Sequence, residues 1–272
     1  MNKHKIEYKI LNRLNGWENL NQEIEVHATP EEIKNLDKQG YLIRENLLDP
    51  KLLETYRTAL AELEQVEIEK NKQQKENEGW GVFIRHMLDK NPIFVDLIQF
   101  PPVLSVVKAM MGPLVRLRGL SARISYPSKG QLHQTPMHTH LRTISSPLPP
   151  WFSQPHGIDV LIYLDDLNEE RGTVTVIPGS HKWLDKEPGD EHNGKELELQ
   201  LKAGSAIILH SNIWHKANPT ISEKRRVLIL SYTPTWLRES PYGELPKKSF
   251  RDELLKGASR QLKELLGVEG FT

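Results

Sequence analysis

The chain has 272 residues, 36 Lys and Arg against 36 Asp and Glu, 11 His and no Cys. A zero net charge gives no electrostatic reason to expect nucleic acid or an anionic membrane as partner. The lack of cysteine excludes disulfides, thiolate metal ligands and a cysteine nucleophile. No apolar run approaches the roughly 20 residues of a membrane helix, and the N-terminus, Met1 to Glu7, has no apolar centre of the signal-peptide kind. A soluble, cytoplasmic protein is the expectation.

The first half reads as helical. Thr29-Pro30-Glu31-Glu32 is a helix start, with threonine as N-cap, proline in the first turn and acids at the positive end. Gly40-Tyr41-Leu42-Ile43 reads as a short strand. Asp49-Pro50 opens a second helix, in which Leu52, Leu53, Tyr56, Leu60 and Leu63 recur at helical spacing. Glu67 to Glu78, rich in Lys, Glu, Gln and Asn, reads as a solvated helix end or loop. Asn91-Pro92 with Ile93, Leu97 and Ile98 predicts a third helix. Pro102, Val103, Val106, Val107 and Met110 predict a fourth, stopped by Gly112-Pro113.

The second half reads as β. Predicted strands are Val115 to Tyr126, Ile158 to Leu164, Thr173 to Ile177, Leu197 to Leu201, Ala206 to Leu209 and Val227 to Tyr232, separated by turn signals such as Glu170-Arg171-Gly172 and Lys202-Ala203-Gly204. Short strands without intervening helices suggest an antiparallel sandwich or barrel. The expected fold is mainly β with flanking α-helices, a jelly roll formed as one domain over 1–272. Its helical part spans about 29–113, its β core about 115–236, and a C-terminal helix about 248–267.

Histidines carry the chemistry. His138 and His140 are two apart, and on a strand such residues share a face. Both could reach one metal, with His215 arriving from a neighbouring strand; two histidines in a polar surface loop is the plainer alternative. His133 and His156 are rival ligands, but His156 and Asp159 are three apart and fall on opposite strand faces. Arg225 and Arg226 begin the last strand, where alternation lets only one point inward. An inward arginine needs an anion, and its planar fork suits a carboxylate. Pro178-Gly179-Ser180-His181 reads as a turn in which Ser180 caps the residues after it and His181 borders the cavity mouth. Asp165-Asp166 reads as a solvated strand end. Ser145 to Pro155, with Pro147, Pro149, Pro150, Trp151 and Phe152, is placed at the cavity mouth.

Several of these segments together resemble the phytanoyl-CoA dioxygenase family of Fe(II)/2-oxoglutarate-dependent oxygenases. They are Gln39 to Ile43 with Leu48-Asp49-Pro50, Ile98 to Pro113, Val160 to Asp166 running through Gly172 to Ile177-Pro178-Gly179-Ser180-His181, Ala203 to Ala206, and Trp214-His215 with the arginines beyond it. The resemblance covers roughly Thr29 to Trp236. It implies a cupin-like double-stranded β-helix, with Fe(II), 2-oxoglutarate and O₂ acting on a small-molecule substrate. It makes His138 the first ligand and His215 the distal one, and gives the co-substrate clamp to Arg225, with Arg226 as the other choice. His140 falls where the family has aspartate. Imidazole brings neither the charge nor the hard oxygen of a carboxylate, so a non-catalytic metal or small-molecule binding protein on the same fold is the competing reading.

Overall fold

The computed structural model describes residues 2–9, 11, 21–70, 81–127, 134–140, 148, 150, 156–189, 194–237 and 252–268. In chain order its elements are strands β1 (His4–Tyr8) and β2 (Gln22–Val26), helix α1 (Pro30–Gln39), β3 (Tyr41–Arg44), α2 (Pro50–Lys70), β4 (Val82–Ile84), α3 (Met87–Lys90), α4 (Phe94–Leu97) and α5 (Pro101–Met111). The β-rich half comprises β5 (Val115–Ser125), β6 (Ile158–Tyr163), β7 (Val174–Val176), a 3₁₀ turn (Ser180–Trp183), β8 (Leu197–Leu199), β9 (Ala206–His210), β10 (His215–Ala217), β11 (Arg225–Pro234) and helix α6 (Arg260–Leu265).

Six strands form one sheet in the order β3-β9-β6-β11-β5-β4, and three form a second in the order β10-β7-β8. Every pairing is antiparallel. The apolar run 160–163 of β6 results from burial on both faces. Ile158, Val160 and Ile162 face the helices, joined by Ile208 of β9 and by Leu228, Leu230 and Tyr232 of β11. Leu161 and Tyr163 turn the other way, with Ile207, Leu209 and Val227, onto Val174 and Val176 of the smaller sheet. This inner layer is where strand alternation delivers site residues.

The predicted helix start at Thr29 is a full capping box: Thr29 Oγ1 accepts from the Glu32 N–H, and Glu32 Oε2 accepts from the Thr29 N–H. The third predicted helix shrinks to the four residues of α4. Asn91 Oδ1 accepts the Ile93 N–H in a local turn, and Pro101-Pro102 opens α5 with only three residues between it and the end of α4. Phe94–Met111 is long and apolar enough, at a mean hydropathy of 1.4 over 18 residues, to cross a membrane by length and composition alone. It is divided between α4 and α5, and Phe94, Leu97, Val103, Leu104, Val106 and Val107 pack into the helix-side core. The predicted C-terminal helix is not continuous: 252–254 are helical, a turn with Gly257 at φ +73° interrupts them, α6 covers Arg260–Leu265, and 248–251 lie outside the described residues. So do 71–78 of the polar stretch, while Glu67–Lys70 complete α2.

Candidate metal centre and co-substrate pocket

His138 and His140 are not on a regular strand. His138 forms a single antiparallel bridge with His215, the first residue of β10. The His138 N–H donates to His215 O at 2.9 Å, and the His215 N–H donates back to His138 O at 3.0 Å. Two residues on, the His140 N–H donates to Ser211 O at 2.8 Å. The spacing therefore does what a strand would do, with the 211–215 segment as its template. Ile177 N–H to Trp214 O, 2.9 Å, and Trp214 N–H to Ser180 Oγ, 2.9 Å, fix that template to the turn after β7. Ser180 thus holds Trp214 and is not the cap of the 3₁₀ turn, since that place falls to Gly179 and Ser180 is the turn's first residue. His181 is buried rather than at a cavity mouth. Its Nε2 bonds Asp37 O at 2.9 Å, and its carbonyl accepts from Asn212 Nδ2 at 3.2 Å.

The three histidines come together with their ligand atoms within 4.8 Å of one another. Each has its Nδ1 occupied by an oxygen: Pro136 O for His138 at 2.8 Å, Ile213 O for His215 at 2.9 Å, and Asp159 Oδ2 for His140 at 2.9 Å. A neutral imidazole that donates from Nδ1 presents a lone pair at Nε2. His140 Nε2 and His215 Nε2 lie 3.1 Å apart. Two lone pairs at that distance repel unless a metal ion, or a proton shared between the rings, lies between them. Imidazole–metal bonds of about 2.1 Å at a right angle separate the nitrogens by about 3.0 Å, so the observed spacing fits two adjacent ligand positions. Burial and the neighbouring His140 and His138 push His215 well below its usual range, which keeps it in the neutral form a ligand needs.

Asp159 is fully buried. Besides His140 it accepts from Ser211 Oγ at 2.5 Å and from Ser231 Oγ. Burial alone would raise its carboxyl, but His140 and the two hydroxyls outweigh burial and hold it below the usual carboxylate range. Gly157 makes the arrangement possible: a Cβ there would sit 2.5 Å from Ser211 Oγ. His156 packs edge-on against Trp236, ring centres 4.8 Å apart, and shares no ligand cluster with Asp159 among the described residues. His133 lies outside them, as does most of the Ser145–Pro155 segment, including Pro147, Pro149, Trp151 and Phe152.

The two arginines separate as alternation requires. Arg225 shares the inner face with Val227 and is 5% exposed. Its Nη1 donates to Asn218 O at 3.1 Å and Thr173 O at 3.3 Å. Burial works against its charge, and Tyr163, whose hydroxyl burial pushes up to about 12, is close enough to act on it electrostatically. Arg226 grips Asp165 with Nε at 2.9 Å and Nη2 at 2.6 Å, and its backbone N–H adds a third bond at 2.9 Å. Asp165 is therefore not a solvated strand end. It is 5% exposed and fully engaged by Arg226, while its neighbour Asp166 takes the Ala203 N–H and Lys202.

Comparison with known proteins decides the family. The phytanoyl-CoA dioxygenase (PhyH) pattern matches residues 36–228. The chain belongs to the phytanoyl-CoA dioxygenase family. An uncharacterized protein of Mycobacterium tuberculosis is 25% identical over 195 residues, which are 70% of this chain and 69% of that relative. Among solved structures, the non-heme alpha-ketoglutarate-dependent carbocyclase SnoK from nogalamycin biosynthesis superposes with a TM-score of 0.60 at 20% identity, over 76% of this chain and 85% of SnoK. HygX from Streptomyces hygroscopicus, with nickel and 2-oxoglutarate bound, gives 0.62 at 16% identity over 78% and 89%. These likenesses establish the double-stranded β-helix fold for this phytanoyl-CoA dioxygenase family member. The family makes it an Fe(II)/2-oxoglutarate-dependent dioxygenase.

Proposed function

We propose that His138, His140 and His215 hold the iron, that Arg225 anchors 2-oxoglutarate, and that the protein oxidises a small organic molecule. The observation that carries this is the set of three Nδ1 atoms tied to oxygens, which leaves three Nε2 atoms for one ion. Arg226 is spent on Asp165, so Arg225 is the arginine left for a carboxylate.

Iron, when bound, supplies the redox chemistry by which O₂ converts 2-oxoglutarate to succinate and CO₂ while substrate is oxidised. The chain supplies position. Two carbonyls orient the Arg225 guanidinium. The inner faces of β6, β9 and β11, with Leu161, Ile207 and Val227, exclude water around it. HygX has been crystallised with hygromycin B, which supports the small-molecule class and no particular substrate.

Gly172 underlies the arginine. It has φ +78°, and a Cβ there would lie 2.4 Å from Pro219 O, 2.5 Å from Asn218 O and 2.6 Å from Arg225 Nη1. Gly172→Ala should cost more than about 1 kcal/mol of stability, because alanine resists that backbone. It should also weaken 2-oxoglutarate, because the carbonyls and guanidinium must shift. A melting curve and an anaerobic 2-oxoglutarate titration check both.

The direct test of function is incubation with Fe(II), ascorbate, O₂ and 2-oxoglutarate, reading succinate, beside anaerobic titrations of Fe(II) and 2-oxoglutarate. Binding of both with succinate formation is the expected result. Binding of both without succinate favours the second reading, a non-catalytic binding protein, for which His140 in the aspartate position is the motive. A protein that binds neither contradicts both readings.

A further inference from the structure

A histidine in place of a ligating carboxylate leaves iron one negative charge short. That charge is nevertheless present in the fold, one bond further out. Asp159 is fully buried, and its Oδ2 lies 2.9 Å from His140 Nδ1, on the side of the ring opposite the shared centre. The β11–β6 register places Ser231 directly across from it. Ser231 and Ser211 each give it a hydroxyl. Among the described residues every bond it receives is a donated hydrogen, and with His140 neutral, as a metal ligand must be, none brings a full positive charge. A buried carboxylate held only by neutral donors calls for a cation nearby, and the imidazole leads straight to where one fits.

We propose that Asp159 is a positioning residue for the metal, fixing the His140 ring and passing to it the negative charge that the family's aspartate would supply directly. This rests on the three-histidine reading above. A carboxylate that accepts Nδ1–H locks the tautomer with Nε2 free and makes that nitrogen a stronger donor to a metal. The two serines keep the carboxylate from rotating away, and Gly157 gives Ser211 room to approach. The histidine substitution and the buried aspartate are then one device: hard-oxygen ligation is exchanged for imidazole ligation without loss of the local charge. None of this shows in the sequence, because residues 140, 159, 211 and 231 come from four separate segments.

The test is a comparison of Fe(II) affinity, measured anaerobically, across the parent, Asp159→Asn, His140→Asp and the double variant. Asparagine keeps the shape and an acceptor oxygen but removes the charge. Loss of such an outer partner typically costs about 10–100-fold in metal affinity, and Asp159→Asn should fall in that range. In the His140→Asp background the ligand carries its own charge and no ring needs orienting. There Asp159→Asn should change affinity by less than about threefold, or improve it by relieving two facing carboxylates.

A second readout is the visible charge-transfer band of the Fe(II)–2-oxoglutarate complex. It should move to higher energy in Asp159→Asn, because a less electron-rich iron gives up an electron less readily. Equal losses in both backgrounds, or an unmoved band with parental affinity, would overturn the assignment. If Asp159→Asn does not fold, Asp159→Ser replaces it under the same expectations, and failure of both to fold makes Asp159 a residue of the fold alone. A parent protein that binds neither Fe(II) nor 2-oxoglutarate would instead defeat the underlying functional reading.

Discussion

Arg225→Ala should weaken 2-oxoglutarate by at least about tenfold and leave the rest of the fold in place. Truncating one partner of a buried, charge-assisted pair costs about 2–5 kcal/mol, and 1.4 kcal/mol is one decade in affinity. The lower end of that range already exceeds tenfold. Arg225 is 5% exposed, its Nη1 edge is fixed by Asn218 O and Thr173 O, and burial opposes its charge. A dicarboxylate is the partner that offsets such a cost. Arg225→Lys keeps the charge but loses the planar fork, so it should recover only part of the affinity.

Arg226→Ala should do the reverse. It strips two of three bonds from the buried Asp165 carboxylate, leaving the backbone N–H of residue 226. Breaking a buried pair by removing one partner costs about 3–5 kcal/mol, so the urea midpoint should fall while 2-oxoglutarate affinity of the folded protein stays near parental. Anaerobic titration and urea unfolding of both variants check this. Parental 2-oxoglutarate affinity in Arg225→Ala and Arg225→Lys would remove the clamp from Arg225.

Legibility in the sequence divides along the range of the interactions. Local rules hold at Thr29 and Pro30, where the cap, the proline and the acids lie within four residues. The two-sided burial of β6 is visible as the apolar run Val160 to Leu164, with Asp159 the exception just before it. Strands β1 and β2 carry a period-two signal that a helical reading of the first half passes over: Ile6, Ile24 and Val26 turn in, while Lys5 pairs with Glu23 and Lys3 with Glu25 outside. Strand β10, three residues long, has no period to read. Asp165 reads as solvated because its sequence neighbours are acidic, yet its partner is 61 residues away. Strand parity sets Asp159 apart from His156. His156 lies ahead of β6, which begins at Ile158, and packs on Trp236, and an argument against a shared metal leaves open a role for Asp159 behind His140.

Removal of His215 should abolish metal binding, and exchange of His140 for aspartate should not. His215 is the most constrained of the three proposed ligands: 4% exposed, bridged to His138 through both backbone bonds, with Nδ1 tied to Ile213 O at 2.9 Å. His215→Ala leaves two imidazoles, one of them 21% exposed at the side chain, and opens a water-filled gap between them. The loss should exceed the roughly 100-fold upper range for outer partners, so that dialysed protein retains no iron by elemental analysis. His140→Asp replaces a nitrogen ligand with an oxygen ligand where the family carries aspartate, giving the two-histidine, one-carboxylate set that suits Fe(II). The introduced carboxylate would then face Asp159 across the position of the lost ring, a repulsion that the bound ion relieves. Iron content after dialysis should therefore match the parent in His140→Asp. Iron retained by His215→Ala would remove His215 from the centre. Iron lost from His140→Asp would mean that position 140 is not equivalent to the family's aspartate, and that the imidazole held by Asp159 is a requirement of this chain's own site.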